Sequence, residues 1–422
     1  MDITSTSFLS GFTTIVIAWL FMMVVEWVWL KPKKLEKWLR QQGFSGNSYR
    51  LFHGDMKEML AMRKDATTKP INLSDSHHNI VPRILPFDHH IITKYGKNSF
   101  IWYGPTPSIN ITDPKMIRDI LFKHDIFQKP KTNPFAKLLA SGMFSYIAGW
   151  RFLPTARNRR MRSNYNETRA LIKGIIKKRE EAVRVGEASQ NDDLLGMLIE
   201  SNYKEMQEHG NKENGMSIEE VIDECKLFYL AGQETTASLL IWALILLCIH
   251  PHWQALAREE VFQVFGNDKP KSDDLNHLKI VNNILNEALR LYPPATILTR
   301  TTYRQTKLGE MNLRPGISLS MPLIMVHHDD EYWGDDAKEF NPDRFSQGVS
   351  KASKNNEVSF FPFGWGPRIC IGQNFTLMES KLALAMILQN FSLELSPTYV
   401  HAPTRGLTIQ PQFGAPLILH KI

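Results

Sequence analysis

A cysteine flanked by glycines and preceded by an arginine carries the strongest chemical signal in the sequence. Within FFPFGWGPRICIG, the residues Phe363, Gly366, Arg368, Cys370 and Gly372 keep the spacing Phe, two residues, Gly, any, Arg, any, Cys, any, Gly. A thiolate needs donors and an uncrowded sulfur face, and glycine lets backbone amides turn toward the sulfur without a Cβ in the way. Phe375, Met378, Leu382 and Met386 then recur with helical period, which sets Cys370 at a helix N-terminus where the dipole favours an anion. These are the requirements of an axial thiolate on haem iron, a ligand that pushes electron density onto the metal and favours O–O cleavage. A buried, inert thiol is the commoner fate of a lone cysteine, and the pattern around Cys370 argues against it.

Two further constellations could support such a centre. In AGQETT at 231–236, Ala231 and Gly232 leave room beside a bulky ligand, while Glu234 and Thr235 set an acid next to an alcohol able to pass protons to an oxygen substrate. A surface-facing polar turn is the alternative, and the cysteine loop in the same chain favours proton delivery. Glu287 and Arg290, three residues apart, share one helix face. Arg344 of FNPDRF could join them in a buried network, which would fix a fold rather than do chemistry. The pairs His77, His78 and His89, His90 point in different directions with no carboxylate or thiol pattern joining them, so no metal site is expected there.

Elements must hold these residues. Ser217 with Glu220 forms a capping box that opens a helix over 217–250, 34 residues long, or roughly 50 Å at the usual rise. Over 239–249 it is apolar on every side and should cross the core. Pro251 and Gly266 bracket the next helix, and Leu275, Leu278, Val281, Leu285 and Leu289 give an amphipathic one bearing Glu287 and Arg290. Further upstream, Pro86 opens a short helix that Gly96 closes, 99–103 and 108–111 form a hairpin, and Asp113 before Pro114 caps a helix. Residues 165–184 are helical, 200–215 read as a surface loop, and 391–395 with 416–420 alternate as strands. Between them, 127–160 carries Pro130, Pro134 and Pro154 without a sustained period, a connection too long for a complete compact domain.

Three cysteines in 422 residues argue against a disulfide framework, and Cys225 and Cys248 read as inert core residues on a helix. A net charge of +7 suits an acidic protein partner or an anionic membrane surface. No basic stripe is interleaved with aromatics, so nucleic acid is not an expected partner. Residues 8–30 are apolar or small except Glu26, long enough for one transmembrane helix, and Asp2 in place of a basic start argues against a cleaved signal peptide. Lys31, Lys33, Lys34, Lys37 and Arg40 follow directly and place the body in the cytosol, with Trp27, Trp29 and Trp38 near the interface. The expected organisation is a membrane anchor at 1–30, a basic amphipathic connector lying on the membrane at 31–85, and a folded domain at 86–422. The sequons at Asn72, Asn110 and Asn166 then never meet a lumenal glycosylation machinery.

Taken together, the FxxGxRxCxG loop, the AGxET segment, the ExxR helix and FNPDRF, in this order, resemble a cytochrome P450. The resemblance implies a mainly α fold with small β-sheets, an N-terminal transmembrane helix and an endoplasmic reticulum location. It implies haem b with Cys370 as axial ligand, O2 as co-substrate and NADPH electrons delivered through a reductase. It also implies proton delivery by Glu234 and Thr235, a structural triad of Glu287, Arg290 and Arg344, and propionate binding by Arg300 and Arg368. AGWRFLPTARNRRM, WGDDAKEFNPDRF and FGWGPRICIGQNF are similar to the plant clan containing secologanin synthase and triterpenoid oxidases, which implies a lipophilic, terpenoid-type substrate. The family also grips a propionate with a Trp and an Arg four residues later, and no Trp here has Arg at that spacing. The regions like 132–142 and 143–160 are nearly adjacent here, whereas helices separate them in the family. The expected fold therefore lacks several helices before the long central helix, with the block missing near Ser141. A shortened, inactive isoform that binds the reductase without catalysis is the alternative function.

Overall fold

The computed structural model describes residues 3–72, 78–130, 154–185, 195–201, 216–354 and 357–422. Two compact units are present, one formed by Met1–Pro130 with Thr235–Ile422 and the other by Lys131–Glu234. Helices dominate, and the described strands form one five-stranded sheet and three two-stranded ones.

Helix Ile3–Val25 runs through a π turn at Glu26–Leu30 into helix Lys31–Gln41. Two described helices are long and apolar enough to cross a membrane: the most apolar stretch of Phe12–Gln41 is almost wholly unburied, whereas that of Ile218–Ile249 is partly core. The π turn shifts the backbone hydrogen-bond ladder, and the Val28 carbonyl accepts the Tyr49 hydroxyl at 2.6 Å.

The segment at 31–85, expected as a connector lying on a membrane, contributes to the main core. Trp38, Leu39, Phe44, Tyr49, Ile80 and Leu85 pack in the same cluster as Trp102 and Trp242. An amphipathic helix presents the same apolar stripe to lipid and to protein. Trp38, expected at the membrane interface, is therefore covered, with the Arg314 guanidinium 5.2 Å over its ring, while Trp27 and Trp29 stay exposed.

The hairpin Phe100–Tyr103 and Thr106–Asn110 turns at Gly104, whose φ of 58° suits a residue without a side chain. Thr106–Asn110 pairs in parallel with Ser318–Met321, which pairs antiparallel with Leu298–Thr302. Asp113 caps helix Pro114–Phe122 by accepting the Met116 N–H. Helix Pro86–Tyr95 closes at Gly96 and helix Pro251–Phe265 at Gly266, both glycines at positive φ. The helix bearing Glu287 begins only at Lys279. Leu275 of its expected apolar stripe lies in the preceding 3-10 turn Ser272–His277, because the Glu260 carboxylate caps the N–H groups of Lys279, Ile280 and Val281. Strands Phe391–Leu395 and Leu417–Lys421 pair antiparallel.

Ser217 and Glu220 form the reciprocal capping box, and the helix they open spans Ile218–Ile249. In the main unit its apolar end is enclosed: Trp242 is fully buried, stacked on Tyr292 with centroids 4.2 Å apart, and donates from Nε1 to the Ile409 carbonyl. In the second unit, helix Ala156–Val185 builds a small core in which Ile176 meets Ile199, Val221 and Ile222, and Arg169 pairs with Glu219. Ser141, Trp150, His77 and most of the expected loop at 200–215 lie outside the described residues.

Beside Trp242 runs a buried chain of rings. His78 bonds His250 through Nε2 and the Tyr292 hydroxyl through Nδ1, and that hydroxyl bonds His401, which in turn bonds Tyr399. Burial, followed by the Arg83 charge, lowers His401 from 6.5 to about 4, and burial also lowers His78 and His250. Above the ordinary imidazole range these rings are neutral in both states, so their contribution to stability is complete. As pH falls from 6.5 toward 4, the unfolded chain takes up the proton that folded His401 refuses. The expected loss reaches about 3 kcal/mol for this residue alone at the acid end. Urea midpoints measured between about pH 7.5 and 5 should fall with acidification, and more steeply in the native protein than in His401→Gln. An unchanged midpoint, or equal slopes, would contradict this.

Candidate functional site

The cysteine loop begins where buried Phe360 and Phe361 leave the core and ends at helix Gln373–Asn390. Between them the backbone folds back on itself. The Gly364 N–H bonds the Phe361 carbonyl at 3.0 Å, Gly366–Arg368 make one 3-10 turn, and the Cys370 N–H reaches the Phe363 carbonyl at 2.9 Å. Phe363 itself is half-buried against the core. Cys370 is exposed, two residues before the helix N-cap Gly372. A Cβ added to Gly372 would lie 3.9 Å from the cysteine Sγ and cover part of its face.

Gly366 has a different task. Its φ is 71°, and a Cβ there would approach within 3.0 Å of the Phe122 Cα and 3.1 Å of the Leu121 carbonyl. The loop thus lies directly on the C-terminal end of helix Pro114–Phe122. Arg118 of that helix reaches over the Trp365 ring at 5.3 Å, a contact between distant stretches that no local spacing announces.

Arg300 projects from strand Leu298–Thr302, opposite Leu319, and is buried. Its Nη1 donates to the Thr299 carbonyl at 2.8 Å. Burial lowers its pKa, and the like charge of Arg368 lowers it further, which places the two cations within electrostatic reach of each other. A buried strand arginine within electrostatic reach of Arg368, which lies two residues before an exposed thiol, fits a bound dianion such as the carboxylates of a haem. An exposed thiol accompanied by two arginines is therefore a donor set that suits haem.

Glu287 and Arg290 are fully buried and bidentate, both N–O distances being 2.7 Å. Arg290 also donates to the carbonyls of His327, Ala337 and Glu339, and its guanidinium lies 5.0 Å over the Trp333 ring. Arg344 comes within 3.6 Å of Glu287, but its hydrogen bonds go elsewhere, to both carboxylate oxygens of Asp336 and to the Trp333 and Asp336 carbonyls. The site thus has a fourth charged member. Asp336 lies eight residues before Arg344, beyond the three- and four-residue pairs that a helix brings into contact, and the folded loop brings them together. Although partial burial of Asp336 acts in the opposite sense, its hydrogen bond with Arg344 brings the carboxyl below the usual range.

Glu234 and Thr235 occupy consecutive half-buried positions on the Ile218–Ile249 helix, and Thr236 beyond them is buried. A Cβ at Gly232 would meet nothing within 4 Å, so this glycine leaves open space beside the helix. His78 belongs to the ring network described above, and no group of three or more potential metal-binding His, Cys, Asp or Glu residues occurs among the described residues.

A family profile described as Cytochrome P450 matches residues 138–413. Cytochrome P450 CYP72A219 of Panax ginseng is 46% identical over 514 aligned positions, covering 98% of both chains. Cytochrome P450 72A397 of Kalopanax septemlobus is 48% identical over 498, covering 94% of this chain and 95% of the relative. Echinocystic acid 23-monooxygenase of Saponaria officinalis is 40% identical over 511, covering 96% and 97%. The first alignment exceeds the present chain by 514 − 422 = 92 positions, so at least that many face no residue here.

Proposed function

The chain belongs to the cytochrome P450 family, and from that premise we propose that this monooxygenase oxidises a lipophilic, terpenoid-type substrate with O2 and with electrons passed from NADPH through a separate reductase. The observation that carries the reading is Cys370, exposed at the head of its helix, two residues after Arg368, whose charge is felt by buried Arg300. The relative named for oxidising echinocystic acid supports the substrate class. The apolar N-terminal helix supports anchorage in the endoplasmic reticulum membrane with the body facing the cytosol.

Haem, when bound, supplies thiolate-assisted O–O cleavage and the oxidation of an unactivated carbon. The chain's own residues prepare that chemistry. Cys370 would hold the iron, Arg300 and Arg368 would orient the propionates, and Thr235 with Glu234 would hold and pass protons at the Thr235 Oγ1. Thr235→Ala should therefore keep haem and NADPH consumption but lower product formed per NADPH by roughly tenfold or more. The test is oxygen uptake against product in a reconstituted reductase system with a triterpenoid panel, and native coupling in the variant would remove Thr235 from proton delivery.

A second reading rests on the 92 or more unmatched positions and on the family match beginning at residue 138, three residues before Ser141. A block lost near Ser141 would take helices from the wall that encloses substrate. Such a chain would keep the anchor and the loop and act by occupying the reductase. Under that reading NADPH consumption stays at background, and the added protein slows a second P450 sharing the reductase.

A further inference from the structure

His327 ends the short helix Leu323–His327 and is fully buried. Its carbonyl accepts Nη1 of Arg290 at 2.8 Å, and its ring Nε2 accepts the Phe361 N–H at 3.0 Å. Phe361 opens the cysteine loop outside any strand, so its amide has no ladder partner. From Phe361 two further backbone bonds, Gly364 to Phe361 and Cys370 to Phe363, carry the loop to the sulfur. The imidazole packs beside Phe360 with centroids 5.5 Å apart and edge-on to Trp333 at 6.5 Å, so its orientation is fixed.

We propose that His327 is a positioning residue for the Cys370 loop, using Nε2 as the acceptor that seats Phe361 and its own carbonyl to tie that seat to the Glu287–Arg290 pair. A backbone amide can only donate, so Nε2 carries no proton and the hydrogen sits on Nδ1. Nδ1 has no hydrogen-bond partner among the described residues. An apolar side chain would fill this space without burying such a group. What the imidazole adds is the acceptor. Burial, followed by the charges of His328 and Arg290, lowers the His327 pKa well below its ordinary value, which keeps Nε2 available. Neighbouring His328 serves another purpose, bonding the Leu291 carbonyl through its Nε2.

The proposal rests on the haem-thiolate reading only for its spectral readout, and a second readout needs no haem. Wild type, His327→Leu and His327→Gln are compared as full-length protein, since the Gln amide oxygen can replace Nε2 as acceptor. In the reduced, carbon-monoxide-bound state, the thiolate-type fraction of bound haem should fall about tenfold in His327→Leu and stay within about twofold of wild type in His327→Gln. In haem-free protein, peptide-resolved alkylation of Cys370 should change rate several-fold in His327→Leu alone, with Cys225 and Cys248 as internal references. Native values in His327→Leu, or equal defects in both variants, would overturn the proposal. If His327→Leu fails to fold, His327→Gln decides: native spectrum and alkylation support the acceptor role, and any defect or misfolding opposes it. A wild type without haem would refute the functional reading while leaving the alkylation comparison intact.

Discussion

Cys370→His is expected to abolish the thiolate-type Soret band and to lower product formation by roughly 10³-fold or more, the scale seen when one member of a catalytic unit is removed. The loss follows from charge. A neutral imidazole nitrogen cannot supply the electron density that a thiolate places on iron, and its bulk must fit a loop pinned by the Cys370–Phe363 backbone bond and by Gly366 on helix Pro114–Phe122. Neither remaining cysteine can substitute. Burial raises the Cys225 thiol and pushes Cys248 up to about 11, and both sit on the Ile218–Ile249 helix, away from the loop in sequence. Membrane insertion should be unaffected, because helix Ile3–Val25 is a separate element. Reduced carbon-monoxide spectra, product assays and carbonate extraction of membranes would check all three statements, and retained turnover would refute the assignment.

Arg290→Ala carries the largest expected loss of stability. It leaves the Glu287 carboxylate buried without its bidentate partner and strips a donor from the carbonyls of His327, Ala337 and Glu339. Breaking a buried pair in this way costs about 3–5 kcal/mol, a large fraction of a typical total of about 5–15 kcal/mol. Arg290→Lys should rescue little, because one ammonium cannot span a carboxylate and three carbonyls. The variant should therefore appear as aggregated or protease-sensitive protein with little haem, and a urea midpoint like the native one would contradict the account. Asp336→Ala should cost much less, since its carboxylate is part-exposed and Arg344 keeps its carbonyl partners.

Much of the fold around the site was legible because its signals are local. The Phe363 to Gly372 spacing, the Ser217 capping box, and the glycines closing helices at Gly96 and Gly266 each depend on neighbours a few residues away. What escaped depends on tertiary placement. Asp336 takes the Arg344 bonds expected for Glu287, Arg118 covers Trp365, and His327 reaches Phe361 across 34 residues of chain. The core packing of 31–85 was not legible for a related reason: its apolar stripe marks a buried face without saying what buries it.

The reduced carbon-monoxide difference spectrum of the full-length, detergent-purified protein, expressed with added haem precursor, addresses the central claim most directly. A thiolate-type Soret band with close to one haem per chain is the predicted result. Folded, membrane-inserted protein that takes up no haem, or that shows only the band of a neutral ligand, would contradict it.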